Sequence, residues 1–227
     1  MKSSVITFPG SNCDRDMDVA LKKFGFNNKM IWHDDHELPK SDLVVLPGGF
    51  SYGDYLRCGS MAAKSKIMNS VINFANSGGL VMGICNGFQI LVETGLVPGV
   101  LLRNKYLEFI CKNVFVKIDN KDNPYFKNLN KKVLELHIAH NEGNYFCTSE
   151  QLKEIEDNDQ IAITYSNKDG QAEKEFNPNG SLKNIAGIFN KKKNVLGMMP
   201  HPERMIDKSL SSEDGSIFFK NLINNIK

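Results

Sequence analysis

Cys85 lies in the segment Gly83-Ile84-Cys85-Asn86-Gly87, between the apolar run Leu80-Val81-Met82 and a second one, Phe88-Gln89-Ile90-Leu91. That pattern predicts a strand, a sharp turn and a helix, with the sulfur at the turn. A residue bearing a Cβ endures the strained angles of such an elbow only if its neighbours are small, as Gly83 and Gly87 are. The N–H groups and dipole of the following helix favour an anion, and the thiolate is the reactive form of cysteine. A second segment, Met199-Pro200-His201-Pro202-Glu203-Arg204, supplies a base and a carboxylate. Pro202 disfavours helical backbone at His201, so an extended tripeptide is expected, with Glu203 on the same side as His201. Thiolate attack on an amide needs a proton for the departing nitrogen. His201 can deliver it, and Glu203 can fix its tautomer. Taken singly, a buried cysteine is usually a packing residue and His-Pro-Glu a surface turn. Together, Cys85, His201 and Glu203 read as nucleophile, base and orienter.

A tetrahedral intermediate also needs donors for its oxyanion. The backbone N–H of Asn86, directly after the nucleophile, is one candidate. The other is a glycine loop at the end of a neighbouring strand, and Pro47-Gly48-Gly49-Phe50 falls there, at the edge where parallel sheets build their sites. No metal site is expected. His33-Asp34-Asp35-His36-Glu37 reads as a solvated loop after a strand, and His137 and His140, three apart on a strand, face opposite sides. Cys58 lies near the expected site without a paired base.

Several elements must position these groups. Strands are predicted at 4–8, 29–32, 43–46 and 80–84, and helices at 14–24, 61–76 and 86–94, from their apolar spacing. Continuous apolar strands separated by helices imply a parallel sheet covered on both faces. Beyond residue 109 the segments 109–118, 133–139, 161–165, 185–189 and 195–198 alternate like antiparallel strands. A last helix spans about 213–226, with Ser211 and Ser212 as candidate caps. The fold class is therefore α/β, with a mixed, mostly parallel central sheet and a nucleophile elbow. With 227 residues and no long linker, one domain covering 1–227 is expected. A net charge of +2 gives no reason to expect nucleic acid, and no apolar run is long enough to span a membrane. Five cysteines without a C-x-x-C pair or an export signal fit a reducing cytoplasm.

Gly83-Ile-Cys-Asn-Gly-Phe-Gln89 resembles the Gly-x-Cys-x-Gly-x-Gln signature of the class I glutamine amidotransferases. Phe8-Pro-Gly-Ser-Asn-Cys-Asp14, Pro47-Gly-Gly-Phe-Ser-Tyr-Gly-Asp-Tyr-Leu-Arg57, Met199-Pro-His-Pro-Glu-Arg204 and Asn177-Pro-Asn-Gly-Ser181 narrow the resemblance. They are similar to the glutaminase subunits of phosphoribosylformylglycinamidine synthases. The resemblance implies a three-layer, flavodoxin-like domain that hydrolyses L-glutamine to glutamate through a glutamyl thioester. The ammonia would pass to a large synthase subunit, which uses ATP to make formylglycinamidine ribonucleotide in purine biosynthesis. A small accessory subunit belongs to the same implied complex. No cofactor is implied for this chain, with ATP and magnesium on the synthase partner.

By position, the resemblance makes Cys85 the nucleophile, His201 the proton shuttle and Glu203 its orienter, with Gly49 and Asn86 holding the oxyanion. Gly48, Phe50, Gln89, His140, Asn141 and Glu142 would form the glutamine pocket. His140-Asn141-Glu142-Gly143 departs from the His-Gly-Glu-Gly usual in the family, and Asn141 is expected to keep the backbone shape because asparagine tolerates positive φ. Two rival readings stay open at this stage: a glutaminase serving another biosynthetic synthase, and a non-catalytic subunit that retains the fold. The Gly-Gly-Phe-Ser-Tyr-Gly-Asp loop argues against the first, and the complete Cys85, His201 and Glu203 set against the second.

Overall fold

The computed structural model describes residues 1–210 and 212–226. Among these, the strands are β1 (Lys2–Thr7), β2 (Asn27–Trp32), β3 (Leu43–Leu46), β4 (Leu80–Ile84), β5 (Val100–Leu102), β6 (Ile110–Ile118), β7 (Val133–His140), β8 (Asn144–Phe146), β9 (Ile161–Ser166), β10 (Ile185–Phe189) and β11 (Val195–Met198). The α-helices are α1 (Asp14–Lys23), α2 (Lys66–Asn76), α3 (Asn86–Glu93), α4 (Ser149–Asp157) and α5 (Asp214–Ile226). Nine strands form one mixed sheet in the order β2-β1-β3-β4-β11-β10-β9-β6-β7, and β5 pairs separately with β8.

The half that carries the elbow, β2 to β11, is parallel throughout; from β11 to β7 every pairing is antiparallel. Burial follows this division. β3 and β11 are buried at every position, as strands covered on both faces must be; β3 reads as an unbroken apolar run for that reason, whereas β11 was expected to alternate. β7 instead alternates, turning Leu134, Leu136, Ile138 and His140 inward. Helices α1 and α5 meet through stacked Phe24 and Phe219 rings, 5.6 Å apart. Among the described residues, no helix is long and apolar enough to cross a membrane.

Four sequence expectations need adjustment. The helix predicted from residue 61 starts at Lys66, because Ser65 is extended at ψ 150° and separates it from a short 3₁₀ turn at Ala62–Lys64. β11 is antiparallel to β10 but parallel to β4, since the β10–β11 hairpin returns the chain to the middle of the sheet. Helix α4 was not anticipated, although Thr148-Ser-Glu-Gln151 forms a complete capping box. Of the two candidate caps for the last helix, Ser211 lies outside the described residues, and Ser212 Oγ accepts the N–H of Asp214 at 3.2 Å.

The order β3-β4-β11 positions the site. These neighbours run in the same direction and are in register, Leu46 beside Gly83 and Ile84 beside Met198. Their carboxyl ends therefore deliver the Gly48-Gly49 loop, Cys85 and His201 to one edge, although more than a hundred residues separate the latter two.

Candidate active site

Cys85 has φ 50° and ψ −105°, the strained backbone that the glycine-flanked motif predicts. Its N–H is held by Met198 O at 2.8 Å, which ties the elbow to β11. Gly87 is required because α3 passes directly over β3: a Cβ there would land on the Leu46 carbonyl. At Gly83 a Cβ would strike both Leu91 and the Gly87 carbonyl. The small neighbours thus let the helix close onto the sheet while the cysteine alone bears the strain.

His201 is extended at φ −100° and ψ 94°, and its N–H donates to His137 O at 2.8 Å. Imidazole Nδ1 pairs with Glu203 Oε1 at 2.6 Å, both side chains being almost entirely buried. The expected pairing is present, but its backbone is not a continued extension: Pro202–Arg204 form a 3₁₀ turn. Proline at the first position of that turn has its φ already set, so the chain curls immediately after His201 and swings Glu203 back onto the ring. Burial alone would lower the His201 pKa. The Glu203 carboxylate and the Cys85 sulfur outweigh it and hold the imidazolium well above its ordinary range. Cys85 thus acts on the ring through its charge, while its Sγ donates to Ala139 O at 3.6 Å and His201 Nε2 holds no hydrogen bond. Nucleophile–base hydrogen bonds often form or tighten only when substrate binds.

A second sulfur stands beside the same ring. Cys13, in the loop after β1, is 2% exposed, and its Sγ lies within 4.8 Å of the ligand atoms of His201 and Glu203. It accepts a hydrogen bond from Arg204 Nη2 at 3.1 Å. Gly48 completes the enclosure, since a Cβ there would come 2.6 Å from His201 Cε1 and 3.1 Å from Cys13 Sγ. This placement of Cys13 was not foreseen, because only the adjacency of β1 and β3 brings it there.

A cavity of about 210 Å³ opens at the elbow, lined by Cys85 together with Gly49, Phe50, Gln89, His140, Asn141 and Glu142, all of them expected pocket or oxyanion residues. Asp54, Cys58, Arg103 and Ala139 share the lining and were not assigned from sequence. Gly48, Asn86, His201 and Glu203 are not among the residues that line it. Asn86 and Gln89 are supports: Asn86 Oδ1 accepts Ser51 N–H at 3.2 Å, and Asn86 Nδ2 donates to Gln89 Oε1 at 2.9 Å. Gln89 Nε2 in turn donates to Glu142 O at 2.8 Å, so one chain of amides fixes the cavity's floor to its wall.

The wall at 140–143 is set by Asn104. Its Oδ1 pairs with His140 Nδ1 at 3.0 Å and with Gly143 N–H at 3.1 Å, while its Nδ2 donates to His140 O at 2.8 Å. Asn141 does not adopt positive φ, contrary to the reason given for tolerating it, so this turn has no need of glycine at that position. The loop at 33–37 is structural: His33 Nδ1 pairs with the Tyr52 hydroxyl at 2.8 Å, and Asp34 with Lys66.

Burial and the neighbouring His201 push the His140 pKa down to about 3. Its proton is therefore bound in the unfolded chain but not in the folded one between pH 6.5 and 3. The stability it confers is whole above pH 6.5 and is lost as pH falls through that window. His140→Asn, which cannot titrate, is expected to flatten the fall of unfolding free energy with acidification by up to about 1.4 kcal/mol per pH unit. Urea titrations at pH 7, 6 and 5 check this; equal slopes in both proteins would contradict it.

A mixed sheet whose parallel half carries a cysteine elbow beside a buried His–Glu pair defines the class of the cysteine-dependent amidotransferases. The profile of a family described as a CobB/CobQ-like glutamine amidotransferase domain matches residues 1–216. The chain is 79% identical to phosphoribosylformylglycinamidine synthase subunit PurQ of Pelagibacter ubique, over all 227 residues and the whole of both chains. It is 52% identical to the subunit of the same name from Synechocystis, over 95% of this chain and 97% of that one. A solved structure of PurLQS from Thermotoga maritima superposes with a TM-score of 0.87 at 39% identity, covering 100% of this chain and 99% of that one. The chain belongs to the glutamine amidotransferase family, in the branch of the phosphoribosylformylglycinamidine synthase PurQ subunits.

Proposed function

We infer that this chain is the glutaminase subunit that supplies ammonia for formylglycinamidine ribonucleotide synthesis, acting as one amidotransferase domain over residues 1–227. The observation that carries the chemistry is the buried Nδ1–Oε1 contact of 2.6 Å between His201 and Glu203, beside a strained Cys85 that opens into a cavity. Cys85 attacks the side-chain amide carbon of L-glutamine, and the oxyanion is received by the N–H groups of Gly49 and Asn86. His201, charged and oriented by Glu203, protonates the departing ammonia, leaving a glutamyl thioester. The neutral imidazole then takes a proton from water, which hydrolyses the thioester and regenerates the thiolate. Phe50, His140, Asn141 and Glu142 line the substrate's space, while Gly48 and Gln89 hold that space in shape.

The partner is a large synthase subunit carrying ATP and magnesium, with a small accessory subunit in the same complex; the PurLQS likeness supports this assembly. No cofactor is needed for the steps assigned to this chain. Its five cysteines are all unpaired, which fits a reducing cytoplasm. The test is reconstitution with the synthase subunit. Glutamine should drive ATP-dependent conversion of formylglycinamide ribonucleotide; failure with glutamine while ammonia is used would refute the assignment.

A further inference from the structure

Cys111 is a nucleophile that glutamine hydrolysis does not use, and it stands beside a base of its own. It lies on β6 and is exposed, whereas Cys13, Cys85 and Cys147 are buried and Cys58 is half-buried. In the antiparallel register Asn113 faces His137 and Cys111 faces Ala139, so Cys111, Asn113 and His137 share one face of the β6–β7 pair. Cys111 Sγ is 3.5 Å from His137 Nε2, and Asn113 Oδ1 is 3.0 Å from His137 Nδ1. Asn113 Nδ2 donates to Glu135 Oε1 at 3.3 Å, which leaves Asn113 Oδ1 as the acceptor toward the ring. His137 Nδ1 therefore carries the ring proton, and Nε2 presents its lone pair to the thiol. Burial and the positive charges of His201 and Arg204 lower the His137 pKa, and Glu203 offsets them only in part. The ring is thus neutral near pH 7 and able to take a proton. A thiol, a bare imidazole nitrogen and an amide that fixes the tautomer form a Cys–His–Asn set of the kind that activates a sulfur.

The surroundings indicate what this sulfur meets. β9 pairs with β6 only from Phe115 to Ile118, and the stretch before it borders a groove of about 1340 Å³. Cys111 lines this groove together with Lys105, Lys112, Lys174 and Lys183, against Glu108 and Glu175. Lys183 is taken up by Glu156, outside the groove, so the surplus of positive charge rests on the other three lysines. A groove of that size admits a molecule of small-peptide dimensions, and its charge favours one that carries carboxylates.

We propose that Cys111 is a site of reversible S-thiolation, where a low-molecular-weight disulfide bearing carboxylates, such as glutathione disulfide, is held by the groove lysines and attacked by the sulfur. His137 Nε2 takes the thiol proton as Cys111 Sγ bonds to one sulfur of the disulfide. The S–S bond breaks, its electron pair leaves with the other sulfur, and the imidazolium returns the proton to that thiolate. The products are a mixed disulfide on Cys111 and one small thiol. Cys111 is oxidised, half of the disulfide is reduced, and no further oxidant is needed. Excess small thiol reverses the exchange. This site goes beyond the glutaminase role and does not depend on it.

The experiment exposes the full chain, free and in the complex with the synthase subunit, to glutathione disulfide or to uncharged bis(2-hydroxyethyl) disulfide. Mass spectrometry follows each cysteine peptide with time. At about pH 7, Cys111 should be thiolated at least about tenfold faster in the parent than in His137→Gln. The gap should be wider at about pH 6 and closed at about pH 9.5, where solvent alone removes the thiol proton; a merely structural role for His137 would not produce this pH pattern. Measured against free cysteine, glutathione disulfide should be preferred about threefold over the uncharged disulfide, and about 0.5 M salt should erase the preference. Should His137→Gln not fold, Asn113→Ala, which releases the ring tautomer, is expected to show the same pH pattern in smaller measure. Equal rates at Cys111 in parent and His137→Gln across this pH range, or no preference for the charged disulfide, would overturn the proposal. So would a Cys111 that reacts in the free chain but is shielded in the complex, which would assign the groove to a subunit interface.

Discussion

Replacing Cys85 with alanine is expected to lower glutamine-dependent synthesis by the reconstituted complex at least about 10⁴-fold, while free ammonia still supports the parental rate. The split follows from the division of labour proposed above: the thiolate is needed only to release ammonia, not to use it. Alanine also keeps the Cβ that makes φ 50° costly, so neither strain nor packing should change much. Cys85→Gly would be equally inactive, yet more stable by about 1 kcal/mol, since glycine adopts that backbone freely. Initial rates with each nitrogen source and urea midpoints of the three proteins check these outcomes together. Loss of both activities in Cys85→Ala would instead mean that the elbow holds the subunits together.

The second large effect is expected at Glu203. Glu203→Gln preserves the shape of the side chain but removes the charge that, together with the Cys85 sulfur, overcomes the burial of His201. The imidazolium should then lose its proton at lower pH, so the alkaline limb of the kcat profile moves toward acid. The rate should fall about 10²–10⁴-fold with little change in KM, because the carboxylate orients the base without touching glutamine. Stability should respond to pH in the matching direction. In the parent, a raised His201 pKa stabilises the fold below pH 6.5, and this contribution fades as pH rises through the folded value. In Glu203→Gln that alkaline loss should shrink. Stopped assays across pH, paired with unfolding curves, measure both effects; an unmoved pH profile would contradict the role given to Glu203.

The nine strands of the main sheet and the elbow were legible because their causes are local, whereas the short pair β5 and β8 was not foreseen. The unbroken apolar run at 43–46 marks a strand buried on both faces, and two small residues around a cysteine mark a sharp turn; 195–198, expected to alternate, is instead buried at every position. The His201–Glu203 contact was legible for a reason only half right. Proline at 202 does keep His201 extended, but the same proline starts a 3₁₀ turn, and it is that turn which closes the pair. What sequence could not supply is adjacency across the sheet. Cys13 reaches His201 because β1 lies beside β3, and Asp54 reaches the cavity through four consecutive or nearly consecutive left-handed residues, three of them not glycine. No local propensity announces either placement. The expectation for Asn141 failed differently: a tolerance for positive φ was invoked where the turn uses ordinary backbone, held instead by the side chain of Asn104. Helix α4 was the one avoidable omission, since its capping box is written in four residues.

The mechanism requires the Cys85 sulfur to be the atom that glutamine's amide carbon meets. The most direct measurement is mass spectrometry of the complex after exposure to a diazoketone analogue of glutamine. A single covalent adduct on the peptide containing Cys85, blocked by excess glutamine and weakened in His201→Asn, is the predicted result. An adduct on Cys13 or Cys58 with Cys85 unmodified, or no adduct under conditions where glutamine is hydrolysed, would contradict it.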